Sequence, residues 1–215
     1  MSVPSRPDDL QDRLETGARL LGIDLSDEVS KRLLQFLTLL IKWNKAYNLT
    51  ALQDPLKMVE RHLLDSLSVL DHLRGEQILD MGTGAGLPGV PLALLRPHSH
   101  FVLLDGNNKK IRFVRQAVLE LGIGNIQTVH ARVEDYRPHR PFDTLISRAF
   151  TDLPKMVELT QGLWTQAGSL LAMKGALPEA ELAQLPADLV VRVISLNLPF
   201  SHAERHLIEI RHRPQ

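Results

Sequence analysis

Residues 77–89 read Gln77-Ile78-Leu79-Asp80-Met81-Gly82-Thr83-Gly84-Ala85-Gly86-Leu87-Pro88-Gly89. A short apolar run ends in an acid, glycines recur at alternate positions, and a helical pattern opens at Pro88. Strand, glycine turn and helix in that order form the first part of a βαβ unit. Gly84, Gly86 and Gly89 also satisfy the G-x-G-x-x-G spacing of a dinucleotide loop. Asp80 argues for a different ligand. A pyrophosphate wants backbone N–H groups and a helix N-terminus, beside which a carboxylate is out of place. The acid suits a cationic amino-acid moiety, and S-adenosylmethionine carries both an α-ammonium and a sulfonium. The competing reading is that Asp80 caps the turn that follows it.

Working outward, short apolar runs alternate with helical patterns over the rest of the chain. Strands are expected at Gln77–Met81, Phe101–Asp105, Ile126–His130, Thr144–Ser147, Ser169–Met173, Leu189–Leu196 and His206–Ile210. Helices are expected at Pro88–Leu95, Lys109–Leu121, briefly after Arg132, and at Leu153–Trp164. Such alternation with short connections predicts right-handed crossovers and a parallel sheet, while the last two strands read as an antiparallel pair. Before residue 76 the period is helical throughout. Leu10, Leu14, Ala18 and Leu21 share a face that Gly22 ends, and Ser26 then caps a helix carrying Val29, Leu33, Phe36, Leu37, Leu40 and Trp43. Asp54-Pro55 opens a third helical stretch, broken once, through Leu70. The chain therefore divides into a helical cap over 1–75 and an α/β sheet region over 76–215, in one compact unit.

The second strand ends in Asp105, where a carboxylate accepts ribose hydroxyls in nucleotide-binding sheets; it could equally cap the helix near Lys109. The third ends His130-Ala131-Arg132-Val133-Glu134, which offers Val133 to the face of an adenine and a backbone amide or Glu134 to its edge, unless Glu134 is a plain surface acid. These places lie at the carboxyl ends of adjacent parallel strands, where open α/β sheets bind ligands.

At 215 residues the chain can bury a core without covalent staples. It has no cysteine, which excludes disulfides, zinc ribbons, cysteine-ligated clusters and a thiolate nucleophile. No apolar run approaches a membrane span, and the acidic first twenty residues lack the core of a signal peptide, so a cytoplasmic protein is expected. Basic and acidic residues balance at 25 each. Nucleic-acid binding, if present, rests on local clusters. Lys109, Lys110, Arg112 and Arg115 form one, and Arg205, His206, Arg211, His212 and Arg213 another, although charge runs are commonly solvated faces.

The loop from Asp80 to Gly89 resembles the RsmG (GidB) family of 16S rRNA guanine-N7 methyltransferases. So do Trp43-Asn44-Lys45-Ala46-Tyr47-Asn48-Leu49-Thr50, Arg61-His62-Leu63-Leu64-Asp65-Ser66-Leu67, Lys109-Lys110-Ile111-Arg112-Phe113 and Ile146-Ser147-Arg148-Ala149-Phe150. The likeness runs over about residues 14 to 213. It implies a Rossmann-like class I S-adenosylmethionine-dependent methyltransferase: a seven-stranded, mostly parallel sheet with an N-terminal helical extension. It implies methyl transfer to N7 of a guanine, conventionally position 527, in the 530 loop of 16S rRNA. The substrate would be free rRNA, an assembly intermediate or the small ribosomal subunit, and the enzyme a monomer. Cofactor contacts implied by the likeness are Gly82, Leu87, Val133, Glu134 and Arg148; Asp80, Gly84 and Asp105 join them on the chemistry above. No metal is implied.

The acceptor chemistry agrees. Guanine N7 presents a lone pair and loses no proton on attack, so positioning matters and a general base does not. The fourth strand ends Ser147-Arg148-Ala149-Phe150, unlike the Asn/Asp-Pro-Pro-Tyr/Phe of exocyclic-amine methyltransferases, and the lack of cysteine excludes pyrimidine C5 methylation through a thiolate adduct. Arg148 is the candidate at the catalytic face, with a structural ion pair as its alternative. Phe150 can stack on an unstacked base or pack in the core. His62 is set either to pair with Asp65 on one helical face or to touch RNA; Lys109, Lys110 and Arg112 complete the RNA-facing candidates. Two other functions remain open at this point: a methyltransferase of small molecules or proteins on the same fold, and a nucleotide sensor without chemistry.

Overall fold

A computed structural model describes residues 7–213. Seven strands form one sheet in the order β3-β2-β1-β4-β5-β7-β6. They are β1 (Gln77–Met81), β2 (His100–Asp105), β3 (Ile126–His130), β4 (Phe142–Arg148), β5 (Trp164–Lys174), β6 (Leu189–Ser195) and β7 (His206–His212). Strands β1 to β5 run parallel, and β7 lies antiparallel to both β5 and β6. Sequence order runs one way from β1 to β3 and the other way from β4 onward. The reversal between β1 and β4 is the point where open sheets of this kind hold ligands.

β1 is buried on both faces, which is why its Ile-Leu-Asp-Met reads as a continuous run without alternation. Its start is pinned to β4. Asp143 Oδ2 accepts from the N–H groups of Glu76 and Gln77 at 2.9 and 3.0 Å, and the Thr144 hydroxyl bonds both the N–H and the carbonyl of Arg74 at 2.8 Å. Asp80 therefore stands beside Leu103 of β2 and Ile146 of β4. Helix α5 (Gly89–Leu95) links β1 to β2, α6 (Asn108–Glu120) links β2 to β3, and α7 (Leu153–Leu159) links β4 to β5.

The amino-terminal helices are α1 (Pro7–Leu20), α2 (Asp27–Tyr47), α3 (Pro55–Met58) and α4 (Asp65–Leu67). Ser26 Oγ accepts from the Val29 N–H at the start of α2, and Asp54 caps α3, as their spacing predicts. Between α3 and α4 the chain is not broken but underwound into a π-helix, Val59–Leu64. These helices and one face of the sheet share a single apolar cluster that includes Leu33, Phe36, Leu63, Ile78 and Leu171. Trp43 packs on Phe113 of α6, ring centroids 5.7 Å apart.

Some boundaries differ from expectation. The predicted helix 153–164 stops at Leu159 because Thr160 and left-handed Gly162 (φ 78°) turn the chain, and β5 begins at Trp164, paired to Phe142 before a register shift. A short helix α8 (Glu179–Leu182) also occurs where none is predicted; Glu181 carries it against Lys174 and the Leu153 N–H. Among the described residues no helix is long and apolar enough to cross a membrane.

Candidate active site

The glycine loop is shaped from beneath. Asp80 is fully buried, and its Oδ2 accepts from the Thr83 hydroxyl at 2.6 Å and the Gly89 N–H at 2.8 Å. One oxygen thus ties both ends of the loop, while Oδ1 is buried without a partner. Burial pushes this carboxyl up to about 6, against the pull of its two hydrogen bonds. Direct contact with an α-ammonium is therefore not its role in this geometry: the carboxylate holds the loop from inside, and the capping alternative describes it better. Gly89 has to be glycine for the same reason. A Cβ there would sit 2.6 Å from Asp80 Oδ2.

A cavity of about 440 Å³ opens above the carboxyl ends of β1, β2 and β3, lined by residues that include Gly82, Asp105, Val133, Glu134 and Phe150. Five of the expected residues thus meet there. Asp105 links two of its walls, accepting from the Gly84 N–H at 2.8 Å and from the Asn107 N–H at 2.7 Å. Asn107, not Asp105, caps α6. Gly82 has φ 63°, and a Cβ on it would lie 2.8 Å from the Phe150 ring, so Phe150 lies directly over the loop. Gly84 contributes its backbone to the loop without lining the cavity. Leu87 does not line the cavity either: its N–H bonds the Thr83 carbonyl within the loop, and its side chain, 3% exposed, packs into the apolar cluster under the cap.

Arg148 stands outside this cavity at the end of β4, and its guanidinium is engaged. One Nη donates to Asp65 Oδ2 at 3.2 Å and to the Arg61 carbonyl at 3.1 Å. Arg205, in the connection from β6 to β7, donates from Nε to Asp65 Oδ1 at 3.1 Å. A single buried carboxylate thus holds two half-buried guanidiniums. Asp65 was read as a partner of His62, and that pairing is absent. Asp65 acts on the His62 ring only as a nearby charge.

His62 is 7% exposed. Its Nδ1 faces the Arg61 carbonyl at 3.0 Å, which can only accept, so the proton sits on Nδ1. Nε2 then accepts from the Thr50 hydroxyl at 2.8 Å. Burial and, after it, the Arg148 charge pull its pKa from 6.5 down to about 4, so the ring is neutral at pH 7. An RNA-facing role for His62 does not fit a ring with both nitrogens occupied and almost no surface. Lys109 and Arg112 are exposed along α6, while Lys110 leans over the glycine loop, its Nζ 4.0 Å from where a Cβ on Gly84 would stand. Among the described residues, no group of three or more His, Asp or Glu side chains is arranged to hold a metal.

Residues 29–208 match the family model "rRNA small subunit methyltransferase G". The chain belongs to that family. It is 51% identical over 201 residues to a ribosomal RNA small subunit methyltransferase G of Nitrosococcus oceani, covering 93% of this chain and 94% of the relative. It is 49% identical over 198 residues to the Methylococcus capsulatus protein of the same name, covering 92% and 97%. A solved S-adenosylmethionine-dependent methyltransferase from Aquifex aeolicus superposes with a TM-score of 0.54 at 17% identity, covering 72% of this chain and 92% of that one. A ribosomal protein L11 methylase from Lactobacillus delbrueckii does so with 0.54 at 11%, covering 72% and 79%. The fold is that of the Rossmann-like methyltransferases, with the helical segment added at the amino end. The shared contact of Asp65 with Arg148 and Arg205 is the part of the arrangement that sequence reasoning missed. The motif 61–67 and the basic tail contained Asp65 and Arg205, but nothing in local spacing joined the two.

Proposed function

We propose that this protein transfers a methyl group from S-adenosylmethionine to N7 of a guanine, position 527 by convention, in the 530 loop of 16S rRNA. The observation that supports the atom assignment is that, among the described residues, no side chain at the end of β4 is free to act as a base. Arg148 and Arg205 offer only guanidinium donors, His62 is neutral with both nitrogens bonded, and Asp65 has its oxygens bonded to the two arginines. The Ser147 hydroxyl is turned to the Met81 carbonyl at 2.8 Å. An amine or hydroxyl acceptor would need one of these groups to take its proton, whereas guanine N7 sheds none.

The residues present fit the cofactor. Asp105 offers a carboxylate at a ribose position, Val133 an apolar wall and Glu134 an edge, while Gly82 and Gly84 bring backbone close without side chains. When bound there, S-adenosylmethionine supplies an activated methyl group. The protein's own work is positioning. Asp80 fixes the loop, Phe150 offers an aromatic face beside Gly82 for an unstacked base, and Arg148, held by Asp65, orients charge at the catalytic face. We take the enzyme to act as a monomer in the cytoplasm, on the small subunit or a precursor of it.

The test is labelled methyl transfer to small subunits from cells lacking the homologous enzyme, followed by borohydride reduction and aniline cleavage. A single cut in the 530 loop is the expected result. Label at another site would remove the target assignment, and label without a cut would remove N7.

A further inference from the structure

Glu209 of β7 is a carboxylate with 3% of its side chain exposed, and three arginines converge on it. Arg211 donates to Oε1 from both Nε and Nη2, Arg74 Nε lies 3.5 Å from the same oxygen, and Arg192 Nη1 lies 3.7 Å from Oε2. They come from three places: Arg74 from the turn before β1, Arg192 from β6 and Arg211 from β7. Together with Asp71, His72, Leu73 and Ile194 they line a cleft of about 350 Å³.

One arginine would suffice to compensate a buried carboxylate. Gathering three long side chains costs rotamer entropy and sets like charges side by side. Three arginines against Glu209 and Asp71 leave the cleft one formal positive charge in excess. The outer guanidinium edges have no protein acceptor among the described residues. Arg192 is 65% exposed and Arg74 49%. Planar donor forks held by an anion behind and open to solvent in front are suited to phosphate oxygens. Glu209 stands in one row with Leu171, Ile146 and Asp80, three strand spacings or about 14 Å from Asp80, and the cleft lies on the side of that row toward the amino ends of β1 and β4, where Arg74 bonds Thr144. That separation is within the reach of an RNA chain whose target base is in the site.

We propose that the Arg74–Arg192–Arg211 cleft grips a backbone phosphate of the RNA substrate, as a second anchor away from the reacting base. The proposal rests on the rRNA substrate argued above. Arg192 is the residue to change, since it is the most exposed of the three and the farthest from Glu209. Arg192→Ala, Arg192→Glu and Arg192→Lys are compared with the parent for binding to protein-free 16S rRNA and to small subunits over 0.05–0.3 M salt, roughly the range in which phosphate contacts weaken strongly. Thermal unfolding and S-adenosylhomocysteine affinity serve as controls.

The expected result is that Arg192→Ala weakens binding about three- to tenfold and flattens the log–log salt slope by about 0.7 to 0.9. Arg192→Glu should weaken it further and Arg192→Lys recover most of the slope, with kcat and cofactor affinity at the parent's values. Parent-like affinity and slope in both Arg192→Ala and Arg192→Glu would overturn the anchor and leave the enzyme's function standing. A defect seen on small subunits but not on protein-free rRNA would overturn it in favour of an acidic ribosomal protein. A parent that binds S-adenosylhomocysteine but neither binds nor methylates any form of 16S rRNA would remove the substrate reading and the anchor together.

Discussion

Asp80 and His62 enter the folded state with their charge states displaced in opposite directions. His62 falls from 6.5 to about 4. Between those values the unfolded chain binds a proton that the folded one does not, so this contribution to stability is present above pH 6.5 and drains away as pH falls toward 4. At about 1.4 kcal/mol per unit it amounts to about 3 kcal/mol. Asp80 rises from 3.8 to about 6, so over that window the folded state keeps a proton the unfolded chain has released, and stability falls as pH rises. The two partly cancel, and a variant separates them. In urea titrations, His62→Gln should lose clearly less stability than the parent between pH 7 and 4.5; parallel losses would mean the ring is not buried neutral. Asp80→Ala should weaken S-adenosylhomocysteine binding by more than tenfold, read by calorimetry, because Thr83 and Gly89 lose their common acceptor. At this scale the sequence showed which residues matter better than what they do. Asp80 stood out because of the glycines beside it, but whether a carboxylate faces a ligand or the underside of a loop depends on packing that no spacing encodes.

Among the elements, the strands were the most legible. β1 occupies the residues its apolar run predicts, since a strand buried on both faces has no choice of register to hide. The underwound turn at 59–64 was not legible. Its sequence satisfies an α-helical period, and only packing of Leu63 and Leu64 into the shared core, with Asp65 turned to two arginines, selects the wider winding. The early start of β5 escaped for a related reason, because pairing of Trp164 with Phe142 is a decision made by β4. The glycine loop supplies the prediction at this scale. Gly82→Ala puts a methyl group into the Phe150 ring and demands a left-handed alanine, which together should cost about 1–3 kcal/mol. Gly82→Ala with Phe150→Leu should recover part of the lost melting temperature but not all, since the backbone cost remains. Complete recovery would show that the contact alone mattered.

In the whole molecule, the connection between β6 and β7 reaches back over the amino-terminal helices. Phe200 lies under the Arg13 guanidinium, 4.2 Å from ring centroid to carbon, and Arg13 also pairs with Glu60 at 3.5 Å. Phe200→Ala should cost about 1 kcal/mol, seen as a small drop in melting temperature with methyl transfer retained. Arg148→Ala should do the reverse: Arg205 still neutralises Asp65, so stability changes little while kcat falls by at least a hundredfold. If stability and kcat fell together in Arg148→Ala, the residue would be a strut and no more.

The link from Asp65 to Arg205 spans 140 positions of the chain. The carboxylate that steadies Arg148 is among the earlier parts to be synthesised, and its second arginine arrives only with the last strand. The glycine loop and the Arg148–Asp65 bond lie wholly in the part of the chain that precedes Arg205, so both can form before the second arginine reaches the carboxylate. The Asp65–Arg205 pair is thus a contact that a growing chain can make only after β6 has been synthesised.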